Sequence, residues 1–422
     1  MKRWIAGFVV GVAACGGSSS GGGDVDAGAA DGRRVADAGD VDASGPDAPP
    51  PLPDALAPEA TFAADLDLSV APVVVGRTCA AAPSYAVNTL RTNGADLLDA
   101  PVDDCLAAGD EVLLLNVQGS AADTTNVGVY ELFQVASVSG TLVTFTSDVT
   151  RSYGRDGKVA LYRVPRFGAA TVAAGATVTS KAWDGSSGGV VVLRADALTV
   201  DGTLTAAGLG YRSGRWSQDD GDCDDNLTTE TGESITGPAL AQITANGGAA
   251  GGIQAIDNIS YNGDDPLSAS SGHATAGQAG DNARGRTLGD PGAVYGTGDG
   301  TTLTMGSGAS GNLTCEAGAV LNLRPVAPAA GGIVLLLGGD VTLGSTGTIT
   351  ATAPNASRSV ASSGGTVLIR ANDVVLGTNQ VTARGATASS IGAFSNVGGA
   401  GYVIVDATGT VTGESDPVST RP

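Results

Sequence analysis

Histidine and positive charge are scarce in this 422-residue sequence, and each scarcity excludes a class of function. A site built from several histidines is excluded, and a Ser-His-Asp arrangement would have to use the single histidine, His273. We expect His273 on the surface, in a flexible glycine-rich segment without a nucleophile motif. Lysine and arginine number 22 against 43 acidic residues, a net charge of −21. Nucleic-acid binding needs a basic face, so no nucleic-acid partner is predicted.

The N-terminus has the layout of an export signal. Lys2 and Arg3 precede an uncharged stretch, residues 4–14, that is too short to cross a bilayer as a helix. Small residues then lead to Cys15. This arrangement resembles the lipobox of bacterial lipoproteins, which implies a signal peptide at residues 1–14 and an acylated Cys15 that anchors the protein to a membrane. The alternative is an ordinary signal peptide with a cysteine nearby.

Residues 15–61 are predicted to form a disordered tether. They are rich in glycine, aspartate and proline, carry a net charge of −7 and contain little to bury. Gly16 stands where many Gram-negative lipoproteins that stay in the inner membrane have aspartate. The resemblance therefore implies an exported protein anchored to the outer membrane or the cell surface.

Four cysteines remain after Cys15 is assigned to the lipid. An even number in an exported protein suggests two disulfides, for which three connectivities exist. We favour Cys79–Cys105 and Cys223–Cys315, because the second bridge would close a long insertion with little apolar content.

The first folded region, residues 62–182, contains short alternating strands separated by turn residues, which predicts a small β-sandwich or barrel. Nine of the 17 aromatic residues lie between Tyr130 and Trp216. We interpret them as core residues, and the alternative is a platform for sugar rings.

The second region, residues 183–414, carries a repeat of strand, corner, strand and glycine-rich loop. Units of this kind bury their apolar face only against neighbouring units, which predicts a right-handed parallel β-helix. A β-sandwich of similar hairpins is the alternative, and residues 415–422 are predicted to be a disordered tail. The four copies begin at residues 187, 330, 363 and 400.

These glycine-rich repeats, with Trp183, Asp184 and Gly185 ahead of them, resemble the β-helical modules of bacterial adhesin-like and haemagglutinin-type surface proteins. The resemblance implies an extended secreted scaffold and an adhesive role. It implies no catalytic residues.

A long insertion, residues 209–329, separates the first two copies, and residues 216–283 within it have a net charge of −11. Within it, oxygen-bearing side chains recur at every second position from residue 220 to residue 226. Such a spacing suits calcium, which takes six to eight oxygen ligands. The alternative is a solvated acidic loop. The candidate ligands are Asp220, Asp222, Asp224 and Asn226.

Aspartates also recur at the corners of the repeats, where we expect a structural role in turns. They are Asp201, Asp340 and Asp373.

Taken together, the sequence predicts a lipid-anchored cell-surface protein. Its expected role is non-enzymatic, in adhesion, binding or envelope scaffolding, and its expected partners are the membrane, an extracellular glycan or a neighbouring surface protein. The alternative is a β-helical polysaccharide lyase or hydrolase, which would use acidic and basic residues on an open groove.

Overall fold

The computed structural model describes residues 59–72, 77–102, 105–154, 157–214, 230–239, 248–251, 269–280, 289–311, 327–357, 360–389 and 395–422. Regular structure in these ranges is β, apart from one 3-10 turn at Gly248–Ala250, so the predicted all-β class is confirmed. The described ranges contain no helix long and apolar enough to cross a membrane.

The strands, in chain order, are β1 (Glu59–Phe62), β2 (Leu66–Asp67), β3 (Ser84–Arg91), β4 (Gly94–Leu97), β5 (Glu111–Gln118), β6 (Tyr130–Ser139), β7 (Leu142–Phe145), β8 (Lys158–Val164), β9 (Arg166–Val172), β10 (Thr177–Thr179), β11 (Val190–Val200), β12 (Thr203–Thr205), β13 (Ile333–Leu343), β14 (Thr348–Thr350), β15 (Ala356–Ser357), β16 (Thr366–Ala371), β17 (Val374–Thr382), β18 (Thr387–Ser389), β19 (Ser395–Val397), β20 (Tyr402–Ala407) and β21 (Val411–Asp416).

Twelve of these strands form a parallel solenoid of six described rungs, each made of two consecutive strands. The rungs are β1–β2, β9–β10, β11–β12, β13–β14, β16–β17 and β20–β21. Every strand pairs in parallel with its counterpart in the next rung. The last four rungs are the four predicted repeat copies, which confirms the predicted parallel β-helix.

The first strand of a repeat copy is buried on both sides of the sheet. In β13, Val334 and Leu336 belong to the core inside the solenoid, whereas Ile333, Leu335 and Leu337 belong to a second core outside it. Strands buried on both faces read as continuous apolar runs rather than as alternating patterns. The continuous apolar run at the start of each copy is therefore explained by two cores, one on each face of the sheet.

The antiparallel strands β3 to β8 form a closed barrel in the order β3-β4-β7-β6-β5-β8. Its core includes the stacked rings of Phe133 and Phe145, whose centroids lie 4.4 Å apart. The small-domain prediction is thus resolved as a barrel, and the predicted Cys79–Cys105 disulfide is confirmed, with Cα atoms 5.1 Å apart.

The described strands place the boundaries differently from the sequence analysis. The barrel is inserted between the first two described rungs. The first described strand of the solenoid starts at Glu59, inside the predicted tether, and the solenoid resumes at Arg166 rather than at 183. The predicted disordered tail also has order: β21 runs to Asp416, and Thr420 exchanges backbone hydrogen bonds with Val403 and Val405.

Beyond the strands, extended glycine-rich segments pack together in what we call the glycine-rich layer, residues 206–214, 230–237, 269–280, 289–311, 360–365, 383–386 and 398–401. Their backbones bond across segments: Gly308 N–H donates to the Glu233 carbonyl at 2.9 Å, and Gly364 N–H donates to the Gly399 carbonyl at 3.0 Å. A Cβ at Gly308 would collide with the backbone of Arg212. Like polyproline II chains, these segments offer their peptide groups to neighbours.

His273 lies inside this layer, so the prediction of a surface position was wrong. Its side chain is completely buried. One ring nitrogen is 2.7 Å from the Gly364 carbonyl and the other is 2.7 Å from the Thr304 hydroxyl. The ring also packs against Tyr295 and Tyr402, with centroids 4.6 and 5.0 Å away. The glycine content gave no indication of this, because glycine allows close backbone packing as readily as flexibility.

The corner aspartates have the predicted turn role at two of the three positions. The Asp373 carboxylate accepts hydrogen bonds from the backbone N–H and the hydroxyl of Thr410, and these bonds lower the pKa of Asp373. The Asp340 carboxylate accepts from the Asp373 N–H at 3.3 Å.

Adjacent leucines of β13 should be equally intolerant of truncation. Leu336→Ala and Leu335→Ala each leave a cavity in a different core, so each should cost about 2–5 kcal/mol of unfolding free energy. Val375→Ala is the control, because Val375 faces outward on β17 with 40% of its surface exposed, and it should cost about 0.5 kcal/mol or less. Denaturant unfolding measures all three, and a tolerated Leu335→Ala would contradict burial on both faces.

Acid should destabilise the fold through His273. Burial lowers its pKa to about 4 from 6.5, against the opposing effect of the Gly364 hydrogen bond. The folded state therefore favours the neutral ring, and this contribution to stability is complete above pH 6.5 and lost as the pH falls towards 4. The shift corresponds to about 3 kcal/mol.

Because the chain has one histidine, a single imidazole proton NMR resonance reports this pKa directly. His273→Gln should flatten the pH dependence of stability between pH 6.5 and 4 while leaving the carboxylate contribution in place. A resonance that titrates near 6.5 in the folded protein would contradict the prediction.

Candidate functional site

Several residues singled out by the sequence lie outside the described residues. These are the lipidation residue Cys15, the pair Cys223–Cys315 and the candidate calcium ligands Asp220, Asp222, Asp224 and Asn226. Lipidation, this second disulfide and calcium binding therefore stay predictions. Within the described ranges, no three histidine, cysteine, aspartate or glutamate side chains are grouped closely enough to hold a metal ion.

A groove of about 460 Å³ lies where the barrel meets the solenoid. Strand β6, the segment after β7 and one side chain of β16 line it. We call it the arginine groove and define it by Tyr130, Glu131, Asp148, Arg151 and Arg370. Leu132 and Phe133 also line it.

The two guanidinium groups of the groove are held from one side. Arg370 donates to the Asp406 carboxylate at 3.0 Å and to the Gly300 carbonyl at 3.2 Å, and it lies 5.6 Å from the centroid of the Tyr130 ring. Arg151 donates to the Thr301 carbonyl at 3.2 Å. A guanidinium has five N–H donors, so these contacts position the two groups without using all of their donors.

Glu131 is fixed as a carboxylate. It accepts hydrogen bonds from the N–H and hydroxyl of Thr150, the N–H of Arg151 and the hydroxyl of Tyr153. Burial would raise the pKa of Glu131, but these bonds outweigh it and lower the pKa. A carboxyl group that donates a proton in glycoside hydrolysis needs a raised pKa, so Glu131 is unsuited to that role.

Tyr130 is also committed to the structure. Its hydroxyl donates to the Gly300 carbonyl at 2.7 Å, and burial raises the pKa of Tyr130. A phenol in this state does not serve as the base of an elimination reaction at neutral pH. The ring therefore provides a fixed apolar surface in the groove, and Arg151 and Arg370 add hydrogen-bond donors to it.

Sequence reasoning missed these residues, although one signal was present. Arg194 and Arg370 end the apolar runs of copies one and three, and both align with Leu337 of the copy between them. Arg194 donates hydrogen bonds of 2.7 and 2.5 Å to the Glu111 carboxylate of the barrel. Arg370 instead lines the groove. A recurring arginine at one position of a repeat indicates a polar contact outside the solenoid.

No family model matches the chain, and no curated protein matches it. Among solved structures, phage tailspikes are similar at a low level. The tailspike gp61 of Pseudomonas phage phi297 shares 12% identity over 85% of this chain and 62% of that chain, with a TM-score of 0.18. The tailspike gp49 of Pseudomonas phage LKA1 shares 15% identity over 79% and 61%, with a TM-score of 0.18.

The Gp54 tailspike of Acinetobacter baumannii bacteriophage AP22, solved in complex with an A. baumannii capsular saccharide, shares 11% identity. It is covered over 57% of its length by 79% of this chain, with a TM-score of 0.15. This chain therefore spans about three fifths of the length of each tailspike. Similarity at this level does not indicate a shared function, and the β-helical fold is established by the strand pairing alone.

Proposed function

We propose that this chain is a cell-surface scaffold that binds saccharides without cleaving them. The observation that carries the proposal is the arginine groove, in which Arg151 and Arg370 present hydrogen-bond donors beside the buried ring of Tyr130. Binding sites for small polar ligands combine an apolar lining with a few positioned polar groups, as this groove does.

The donors of Arg151 and Arg370 favour a saccharide that carries carboxylates, and the Glu131 and Asp148 carboxylates of the same groove can accept hydrogen bonds from its hydroxyl groups. Planar guanidinium groups pair with carboxylates through two parallel hydrogen bonds, and such charge-assisted bonds are stronger than neutral ones. Arg370 is held by Asp406 and the Gly300 carbonyl before any ligand arrives, so little side-chain entropy is lost on binding. An acidic polysaccharide such as a polyuronate is the expected ligand.

The groove chemistry supports binding over turnover. Lyases and hydrolases with β-helical folds need a base or an acid poised at the reacting bond. Here the lowered pKa of Glu131 argues against an acid role for this carboxyl group, and the hydrogen bond from the Tyr130 hydroxyl to the Gly300 carbonyl argues against a tyrosine base.

The arginines should be required for binding of an acidic oligosaccharide. Arg370→Met and Arg151→Met remove charge-assisted hydrogen bonds, so each should weaken binding of hexagalacturonate by about 1.5–3 kcal/mol, which is roughly tenfold to a hundredfold. Calorimetry on the purified full chain measures the affinity. Arg384→Met is the matched control, because Arg384 also pairs with an aspartate, Asp416, on the solenoid surface but lies outside the groove.

Equal losses in Arg384→Met and Arg370→Met would reduce the effect to overall charge and contradict the groove. Release of reducing ends or unsaturated products from hexagalacturonate by the wild-type protein would instead favour the enzymatic alternative.

The anchor belongs to the same proposal, because a binding scaffold on the outer membrane needs attachment. Cys15→Ser should prevent acylation and release the protein from the membrane fraction. Mass spectrometry of the N-terminal peptide of the wild-type protein tests this, with Cys79→Ser as a control that keeps the lipid. An unmodified Cys15 in protein isolated from its native membrane would contradict the proposal.

A further inference from the structure

A second groove, of about 540 Å³, opens elsewhere along the contact between barrel and solenoid. Strands β2 and β10 of the solenoid and the start of β3 of the barrel line it. We call it the hydroxyl groove and define it by Asp67, Ser69, Ser84, Thr179 and Lys181. None of these residues lines the arginine groove, so the two grooves share no side chain.

Three hydroxyl groups of this groove use their protons in hydrogen bonds within the protein. Ser69 donates to the Asp67 carboxylate at 2.6 Å, and Thr179 donates to the Thr205 carbonyl at 3.1 Å. Ser84 donates to the hydroxyl of Ser187 at 3.3 Å. A hydroxyl has one proton and two lone pairs, so what these three groups can offer a ligand is acceptors.

Lys181 adds a hydrogen-bond donor. Its ammonium nitrogen lies 2.6 Å from the Asp184 carboxylate and donates to the Ser187 hydroxyl at 3.0 Å. An ammonium carries three N–H donors, and within the described ranges the third has no partner.

We propose that the hydroxyl groove is a second binding site and that its ligand is a neutral, hydroxyl-rich molecule, of which an uncharged oligosaccharide is the representative. Each sugar hydroxyl can donate to a serine or threonine oxygen and accept from Lys181. Pro83 and the 70%-exposed Val70 offer apolar contacts for the C–H faces of a sugar ring.

Charge decides against the other ligand classes. An anionic ligand would meet the Asp67 carboxylate and a row of hydroxyl lone pairs, whereas a cationic ligand would meet Lys181. Neither a negative nor a positive ligand would find an unpaired opposite charge in the groove, because Asp67 is bonded to Ser69 and Lys181 is paired with Asp184. A neutral polyol avoids both conflicts.

The test measures binding of neutral hexasaccharides, maltohexaose and cellohexaose, to the purified full chain by calorimetry or ligand-observed NMR. Thr179→Val keeps the shape of the side chain but removes an acceptor oxygen, and Lys181→Met removes the donor. Each should weaken binding of the hexasaccharide that the wild-type protein binds by about fivefold to tenfold.

Thr350→Val is the matched control, because Thr350 stands in the same column of threonines, two rungs from Thr179, and does not line the groove. It should leave the affinity unchanged, as should Arg370→Met. Thermal melting checks that each variant is folded, and Thr179→Val serves alone if Lys181→Met does not fold.

Wild-type affinity in folded Thr179→Val would overturn the proposal. The proposal would also be overturned if neither hexasaccharide bound the wild-type protein at concentrations up to millimolar. The binding of hexagalacturonate in the arginine groove is measured separately. A failure to bind at one groove therefore does not affect the result obtained for the other.

Discussion

Burial of one sheet on both of its faces is the constraint on which the rest of this structure depends. The first strands of the repeat copies contribute Leu193, Leu336 and Ile369 to the core inside the solenoid and Val192, Leu335 and Leu368 to the core outside it. Exposed apolar surface costs about 25 cal/mol per Å², so a solenoid with such an outer face is stable only when that face is covered. The barrel strands β5 and β8 and the segment at Leu303 and Met305 provide the cover.

The grooves follow from how that cover is attached. A closed barrel placed against a flat sheet face leaves clefts where the curved surface turns away, and polar side chains at the ends of the contact line them. The ion pair of Glu111 on the barrel with Arg194 on the solenoid fixes the barrel against the sheet. Both grooves therefore lie between elements whose relative position is set by packing.

Sequence reasoning succeeded where a period was strong and failed where packing has no period. The repeat copies predicted the rungs, because Val, Leu and Ile recur in register with corners between them. The insertion of the barrel into the solenoid was not predicted, because nothing in the order of strands shows that β1 and β9 are neighbours across it. The glycine-rich layer escaped too: close backbone packing at Gly308 and a flexible linker have the same composition. His273 was misplaced for that reason.

Hydrogen bonds within the protein position several of the side chains that line the arginine groove. The loop beside the arginine groove is fixed by Asp299, whose carboxylate accepts hydrogen bonds from Thr297 and Thr301. The loop in turn offers the Gly300 carbonyl to both Tyr130 and Arg370. Tyr130 and Arg370 are thus held by groups that do not line the groove, so the entropy of ordering these two side chains is lost during folding rather than on association. Under the proposed function this arrangement favours affinity, because the contacts that position Arg151 and Arg370 exist before a ligand binds.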